Sequence, residues 1–195
     1  MQSKTTTKDL IARSLVRLAA TKSLNKITIQ EIAADCGLTK TTFYNHFRDK
    51  YDLIVWAYAE PVRKITGRLG NGDCAVDDAI LDIVRYFDEN RKFILNALQN
   101  TSGQNYFLHH VARIHYAVLR EFVTRDHGSG AERPSPKLEV LMKLYAYGTV
   151  QMVCEWLLDG TPIPAEEFAA FLEAGIPEEL KPLLYPAQVD DLPKS

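Results

Sequence analysis

Residues 36–50, CGLTKTTFYNHFRDK, place hydroxyl, amide, imidazole and ammonium side chains next to one another along one short stretch. Phe43 and Phe47 are four residues apart, so they occupy the inward positions of a helix. A turn of about 100° per residue then places Thr41 and Asn45 on the outward face. Short hydroxyl and amide groups hydrogen-bond the base edges that the major groove of DNA exposes. We therefore expect Thr41 and Asn45 to read bases.

The side chains around these two are suited to the phosphate backbone of DNA. Phosphate contacts come from lysines and from hydroxyl-bearing or other polar side chains, and they hold the protein in register on the duplex. The other reading is a structural helical hairpin whose polar face only meets water. The candidate DNA-binding residues are Thr28, Thr39, Lys40, Thr41, Thr42, Tyr44, Asn45, His46 and Lys50.

Two short predicted helices position these side chains. Thr28 and Glu31 have the spacing of a capping box, in which each side chain satisfies a backbone N–H group at a helix start. Gly37 tolerates the positive φ that ends a helix, and Thr39 is a good N-cap for the next one. Two helices joined by a turn that contains glycine form a helix-turn-helix.

The sequence predicts a helix on each side of this pair. Helical periodicity over about residues 8–22 gives the first helix of the head. Asp49 is placed to cap a fourth helix that we expect to run to about Gly67. Pro61 lies inside it and removes one internal hydrogen bond, so we expect the helix to bend or divide there.

Net charge divides the chain into a basic head and an acidic body. Residues 1–50 contain nine Lys/Arg and four Asp/Glu, and the remaining 14 basic and 21 acidic residues make the body acidic. The segment GRLGNGDC (67–74) is the first strong break between them. We predict a DNA-binding domain at 1–50, a connecting helix at 51–70, and a regulatory and dimerisation domain at 71–195.

The body continues with helical stripes, which predicts an all-α fold: a three-helix head followed by a helical bundle. The helix from Leu138 to Trp156 is apolar on most sides, which suits burial both in a core and against a partner subunit. The polar segment TRDHGSGAERPSP (124–136) is expected to be a mobile loop.

Composition indicates a cytoplasmic protein without a membrane span. No apolar run has the length of a membrane-crossing helix, and the N-terminus lacks the apolar centre of a signal peptide. Cys36, Cys74 and Cys154 are odd in number and far apart, which is typical of reduced thiols.

At the family level, the stretch ITIQEIAADCGLTKTTFYNHFRDKYDLI closely resembles the signature of the TetR/AcrR family of bacterial transcriptional regulators. The resemblance covers about residues 8–60, and Thr41 departs from it because many members have glycine in the recognition helix. The matching residues are Ile32, Ala33, Gly37, Thr42, Tyr44, Phe47, Lys50 and Leu53. The resemblance implies a homodimer that binds a palindromic DNA operator and acts as a repressor or an activator.

The C-terminal segment YGTVQMVCEWLLDGTPIPAEEF resembles a TetR subgroup related to dihydroxyacetone-kinase regulators. In the family, the last long helices form the dimer. The small residues Gly148 and Thr149 permit close helix approach, although small residues also serve packing within one chain. The candidate dimer-interface residues are Tyr145, Gly148, Thr149, Met152 and Trp156.

Polar and aromatic residues of the body are candidates for effector binding: Tyr86, His110, His115, Tyr116 and Tyr145. Core packing is the alternative role for each of them. No histidine pair has the i, i+4 spacing of a helical zinc motif, and no nucleophile motif or acid–base carboxylate pair stands out. We therefore predict no metal, no cofactor and no catalytic residue. The alternative function is a co-regulator whose C-terminal domain binds a partner protein instead of a small molecule.

Overall fold

The computed structural model describes residues 5–100, 104–125, 133–160 and 163–185. Within these ranges the chain forms helices and no β-strand, which confirms the predicted all-α fold. A short 3-10 helix, Leu24–Lys26, lies between the first two α-helices. The α-helices are α1 (Thr7–Ala19), α2 (Ile29–Asp35), α3 (Lys40–Tyr44), α4 (Lys50–Gly70), α5 (Val76–Glu89), α6 (Arg91–Asn100), α7 (Gln104–Arg125), α8 (Pro136–Leu158), α9 (Ala165–Ala174) and α10 (Lys181–Leu184).

Helices α1 to α3 and the first turns of α4 pack around one apolar core. Its fully or almost fully buried side chains are Ile11, Leu15, Ile32, Phe43, Phe47 and Leu53. Ser14 is the one buried polar residue of this part of the chain, and its hydroxyl donates to the Asp35 carboxylate at 2.6 Å, with the Ile32 carbonyl 3.0 Å away. The hydrogen bond satisfies the buried hydroxyl and ties α1 to α2.

The predicted caps of the helix-turn-helix are confirmed. Thr28 Oγ1 accepts from the Glu31 amide at 3.2 Å, and the Glu31 carboxylate accepts from the Thr28 amide at 2.8 Å. Gly37 has φ of +69°, the left-handed conformation that side chains disfavour. Thr39 caps α3 by accepting from the Thr42 amide at 3.1 Å. The turn between α2 and α3 is therefore encoded locally.

Helix α4 joins the head to the body. Asp49 caps it as predicted, accepting from the Asp52 amide at 2.8 Å. The helix has 21 residues and continues through Pro61 without dividing, three residues beyond the predicted end at Gly67. At 1.5 Å per residue it is about 31 Å long. It packs against α1 in the head and against α5 and α7 in the body.

In the body, α7 and α8 pack along each other and α5 packs against α9. The apolar core is continuous from Ile11 in the head to Leu172 in α9, and α4 contributes Ile54, Tyr58 and Val62 to it. The loop predicted at 124–136 is shorter than expected at its ends, since Thr124 and Arg125 belong to α7 and Pro136 begins α8, and residues 126–132 lie outside the described ranges.

Candidate nucleic-acid interface and effector cavity

Helix α3 is oriented by the two phenylalanines that the sequence singles out. Phe43 and Phe47 are buried, and their ring centroids lie 5.8 Å apart. Phe47 packs edge-on against Trp56 of α4 at 5.7 Å. This anchoring fixes which face of α3 points outward.

Most of the predicted DNA-binding side chains lie on that outward side. Tyr44 is 55% exposed, and Lys40, Thr41 and Asn45 are exposed as well. Thr42 and His46 are half-buried at the edges of the face. Lys40 forms no ion pair with any described residue, so its charge is available to a phosphate.

Thr28, Thr39 and Thr42 have internal hydrogen bonds in addition to any contact with DNA. The Thr39 and Thr42 hydroxyl groups lie 3.0 Å apart, within hydrogen-bonding distance. Thr28 belongs to the capping box with Glu31. Hydrogen bonds from the Lys22 ammonium and from Thr28 lower the pKa of Glu31 to about 2, so this carboxylate is ionised beside Thr28.

Lys50 has an internal role that the sequence does not reveal. Its ammonium group donates to the Ile27 carbonyl at 2.8 Å and also to the carbonyls of Leu24 and Asn25. An ammonium group has three donors, and these contacts occupy all of them. Lys50 thus ties the start of α4 to the 3-10 helix, and the phosphate contact expected for it stays a prediction.

A cavity of about 650 Å³ lies inside the body, between α4, α5, α7 and α8. Its lining is mainly apolar and includes Ile83, Phe87, Phe107, Val111, Val118 and Val150. Three of the predicted effector residues, His110, His115 and Tyr145, line it. The size and the apolar lining are typical of a site for a small organic molecule.

Tyr86 and Tyr116, the other two predicted effector residues, do not line this cavity. The Tyr86 hydroxyl donates to the Ala57 carbonyl of α4 at 3.2 Å. The Tyr116 hydroxyl donates to the Glu139 carboxylate of α8. Both hydroxyl groups therefore hydrogen-bond a neighbouring helix.

Tyr58 is a cavity residue that the sequence analysis missed. Its hydroxyl lies 2.6 Å from Nε2 of His115, and its ring packs near Phe87 and Phe107. Burial lowers the pKa of His115 to about 4, so the imidazole is neutral at pH 7. Tyr58 lies in the connecting helix, and the spacing of a single tyrosine on a helical stripe does not distinguish a cavity residue from a core residue.

Helix α8 exposes an apolar surface that differs from the predicted dimer interface. Gly148 and Met152 point outward as expected, and Met152 is 48% exposed. The surface continues through Leu144 and Val140, which are 64% and 56% exposed. We call the exposed residues Val140, Leu144, Tyr147, Gly148 and Met152 of α8 the outer α8 face.

Three predicted interface residues face the inside of the protomer instead. The Tyr145 hydroxyl donates to the Leu172 carbonyl at 3.1 Å, and Thr149 lines the cavity. Trp156 is buried, stacks on Phe168 at 4.9 Å, and donates from Nε1 to the Ile163 carbonyl at 3.1 Å. A helix that is apolar on all sides does not show in its sequence which side faces the core.

The described residues contain no group of three or more His, Cys, Asp or Glu side chains arranged to hold a metal ion. In the same ranges, no helix has the length and apolar character that crossing a membrane requires.

Comparisons with known sequences agree with this architecture. Residues 11–55 match the model of the bacterial regulatory proteins of the tetR family, and residues 75–176 match a TetR-type model described as a transcriptional regulator C-terminal region. Over 50 residues the chain is 44% identical to the uncharacterised HTH-type transcriptional regulator YerO of Bacillus subtilis. That stretch is 26% of this chain and spans only 17% of YerO.

Solved structures with low sequence identity share the fold. The dihydroxyacetone kinase operon activator DhaS superposes with a TM-score of 0.63 at 18% identity, covering 87% of this chain and 95% of DhaS. FadR of Bacillus subtilis, solved in complex with stearoyl-CoA, gives 0.54 at 14% identity over 92% of this chain and 98% of its own. The two family models together cover the head and most of the body. The chain therefore belongs to the TetR family of bacterial transcriptional regulators.

Proposed function

We propose that this protein is a DNA-binding transcriptional regulator that inserts α3 into the major groove of a palindromic operator. The observation that carries this proposal is the orientation of α3: two buried phenylalanines hold it, and its polar face is exposed beside Lys40, which forms no ion pair with a described residue. Thr41 and Asn45 read base edges, while Lys40 and Tyr44 contact phosphates. In this proposal the roles follow the domains predicted from the sequence: residues 1–50 bind DNA, residues 51–70 form the connecting helix, and residues 71–195 regulate and dimerise.

The operator-binding form is a homodimer built on the outer α8 face. The exposed Val140, Leu144 and Met152 side chains leave an apolar surface that a second copy would cover. A twofold dimer presents two copies of α3 to major grooves one helical turn apart, about 34–36 Å.

A small molecule in the cavity would modulate DNA binding. The cavity wall includes Tyr58, Arg63 and Thr66 of α4, the same helix that begins in the head beside Phe47. An effector changes DNA affinity only if it binds the two arrangements of the head unequally. Helix α4 contacts both the cavity and Phe47, which anchors α3. A shift of α4 would therefore transmit effector binding in the cavity to the position of α3.

The co-regulator alternative has less support than the effector. It rested on the lack of a polar cluster in the body of the sequence, because a small-molecule site needs a few convergent polar groups. Tyr58 and His115, 57 residues apart in sequence, meet in the cavity wall and supply such a group.

Selection of bound DNA from a random duplex pool tests the proposed function. We expect enrichment of a sequence with twofold symmetry whose half-sites are centred about 10–10.5 base pairs, or a multiple of that spacing, apart. A pool that stays random after repeated rounds at physiological salt would contradict sequence-specific binding.

A further inference from the structure

His115 carries a hydrogen-bonding group that the protein leaves unused. Its Nε2 lies 2.6 Å from the Tyr58 hydroxyl, and no described residue hydrogen-bonds its Nδ1. Buried polar groups in folded proteins almost always have a partner, so an exception in a cavity wall calls for an explanation. This inference concerns the chemistry of the effector and rests on the proposed function.

The Tyr58 partner determines which nitrogen carries the proton. Tyr58 is fully buried, and His115 is the only described residue that hydrogen-bonds its hydroxyl. A phenol O–H is a stronger donor than the N–H of a neutral imidazole, and the unprotonated ring nitrogen is a stronger acceptor than a phenol oxygen, so Tyr58 donates to Nε2. In a neutral imidazole the proton then resides on Nδ1, which becomes a hydrogen-bond donor.

Among the described residues, the buried part of the cavity wall carries no formal charge at neutral pH. Burial holds His115 neutral, raises the pKa of the Cys154 thiol to about 12, and raises the pKa of Tyr145 to about 12. The charged residues of the lining, Arg63, Arg113, Glu121 and Arg125, are all exposed to solvent. An ion in the inner part would lose its hydration without meeting an opposite charge.

We propose that the cavity takes a predominantly apolar, uncharged molecule with a carbonyl-type oxygen that accepts a hydrogen bond from Nδ1 of His115. The apolar wall supplies most of the affinity, and His115 fixes the orientation of the molecule. His115 then hydrogen-bonds both the ligand oxygen and Tyr58, so it links the ligand to α4.

Three matched probes test this class: pentylbenzene, the ketone valerophenone, and 5-phenylpentanoate, which share one ring and one chain length. Affinities are measured by displacement of a fluorescent apolar dye from wild-type protein and from His115→Phe. We expect the ratio of the valerophenone to the pentylbenzene association constant to fall about three- to tenfold in the variant, the contribution of one hydrogen bond. His109→Phe, the same change at an exposed histidine of α7 that does not line the cavity, is the control and keeps the wild-type ratio.

Two outcomes of the binding experiment would overturn the proposal. One is the same ratio in His115→Phe as in the wild type, which would mean that His115 does not contact the ketone. The other is tighter binding of 5-phenylpentanoate than of valerophenone to the wild type, which would mean that the exposed arginines select an anion.

A measurement on the wild type covers the case in which His115→Phe fails to fold. In protein labelled with nitrogen-15 at histidine, valerophenone should shift the Nδ1–H resonance of His115 more than pentylbenzene does. Equal shifts from the two probes would contradict the hydrogen bond. Neither measurement involves DNA, so a failure here in a protein that selects an operator leaves the proposed function intact, and the converse also holds.

Discussion

Lys40 and Lys50 lie ten residues apart in the head but have different surroundings. Lys40 is exposed and forms no ion pair with a described residue, whereas Lys50 is half-buried and donates to the carbonyls of Leu24, Asn25 and Ile27. From residue type alone, both lysines are expected to contact DNA. The carbonyls that Lys50 contacts belong to the segment between α1 and α2, far from Lys50 in sequence. No local spacing in the sequence therefore predicts these contacts.

Replacing Lys50 with alanine should lower the stability of the head. The change leaves the Ile27 carbonyl without its described donor and removes one of two donors from the Leu24 carbonyl, which costs about 1–3 kcal/mol of unfolding free energy. Urea unfolding followed by circular dichroism measures the change. Lys40→Ala is the matched control, and its unfolding free energy should stay within about 0.5 kcal/mol of the wild type.

The same two variants separate structural from electrostatic roles in DNA binding. Lys40→Ala should weaken binding to all sequences and reduce the slope of log affinity against log salt by about one. For Lys50→Ala, a wild-type slope would mean that its ammonium stays on the carbonyls in the complex. A slope reduced by about one would establish the phosphate contact that the sequence predicts.

His115 should make the protein less stable as the pH falls. Its pKa is about 4 in the folded protein, below the ordinary value of 6.5, so the unfolded chain binds a proton more readily. The stability is therefore complete above about pH 6.5 and is lost as the pH falls toward 4, by about 1 kcal/mol per pH unit.

Urea unfolding at pH 7.0 and pH 5.5 tests this dependence, with His115→Gln as the comparison. The variant should lose less stability between the two pH values than the wild type. His110, whose pKa burial also lowers, is present in both proteins and cancels in the difference. An equal loss in both would show that His115 does not titrate as its burial indicates.

At the scale of elements, the sequence predicts the helix-turn-helix closely and the packing of the body poorly. Capping residues such as Thr28, Thr39 and Asp49 act within a few residues, so they can be read directly. The faces of α8 depend on which helices surround it. Tyr145 and Trp156 face the core, whereas the neighbouring Leu144 is exposed.

Asn96 of α6 makes most of the hydrogen bonds between this helix and the head, and its replacement should be costly. Asn96 Oδ1 accepts from the Leu24 amide at 2.9 Å, and its Nδ2 donates to the carbonyls of Ala19 and Lys22. Asn96→Leu should lower the unfolding free energy by about 2–4 kcal/mol, because it leaves three backbone groups without partners. Gln99→Leu, at an exposed position of the same helix, is the control in the same urea titration and should be nearly neutral.

The outer α8 face should control assembly. Leu144→Glu places a charge at the most exposed apolar position of this face, and we expect a monomer under conditions in which the wild type is a dimer. Sedimentation velocity measures the mass of each protein. Leu10→Glu, the same change at a 43% exposed leucine of α1, should leave the dimer intact. A dimeric Leu144→Glu protein would place the interface elsewhere.

At the scale of the whole molecule, the head and the cavity arise differently. The helices of the head are specified by signals within a few residues, whereas the cavity forms only when distant helices pack together. Tyr58 and His115 meet across 57 positions of sequence, so their pairing could not be predicted from spacing. Helix α4 holds both ends together, with Trp56 against Phe47 and Tyr58 against His115.

The central claim is that the outward face of α3 reads DNA, and parallel selections from a random duplex pool test it most directly. Wild type and Lys40→Ala should enrich the same twofold-symmetric sequence, with weaker enrichment for the variant. Asn45→Ala should instead enrich a sequence altered at one position in each half-site, because a base contact is worth about 1–3 kcal/mol of discrimination. An unchanged consensus with uniformly weaker binding for Asn45→Ala, and likewise for Thr41→Ala, would contradict base reading by this face.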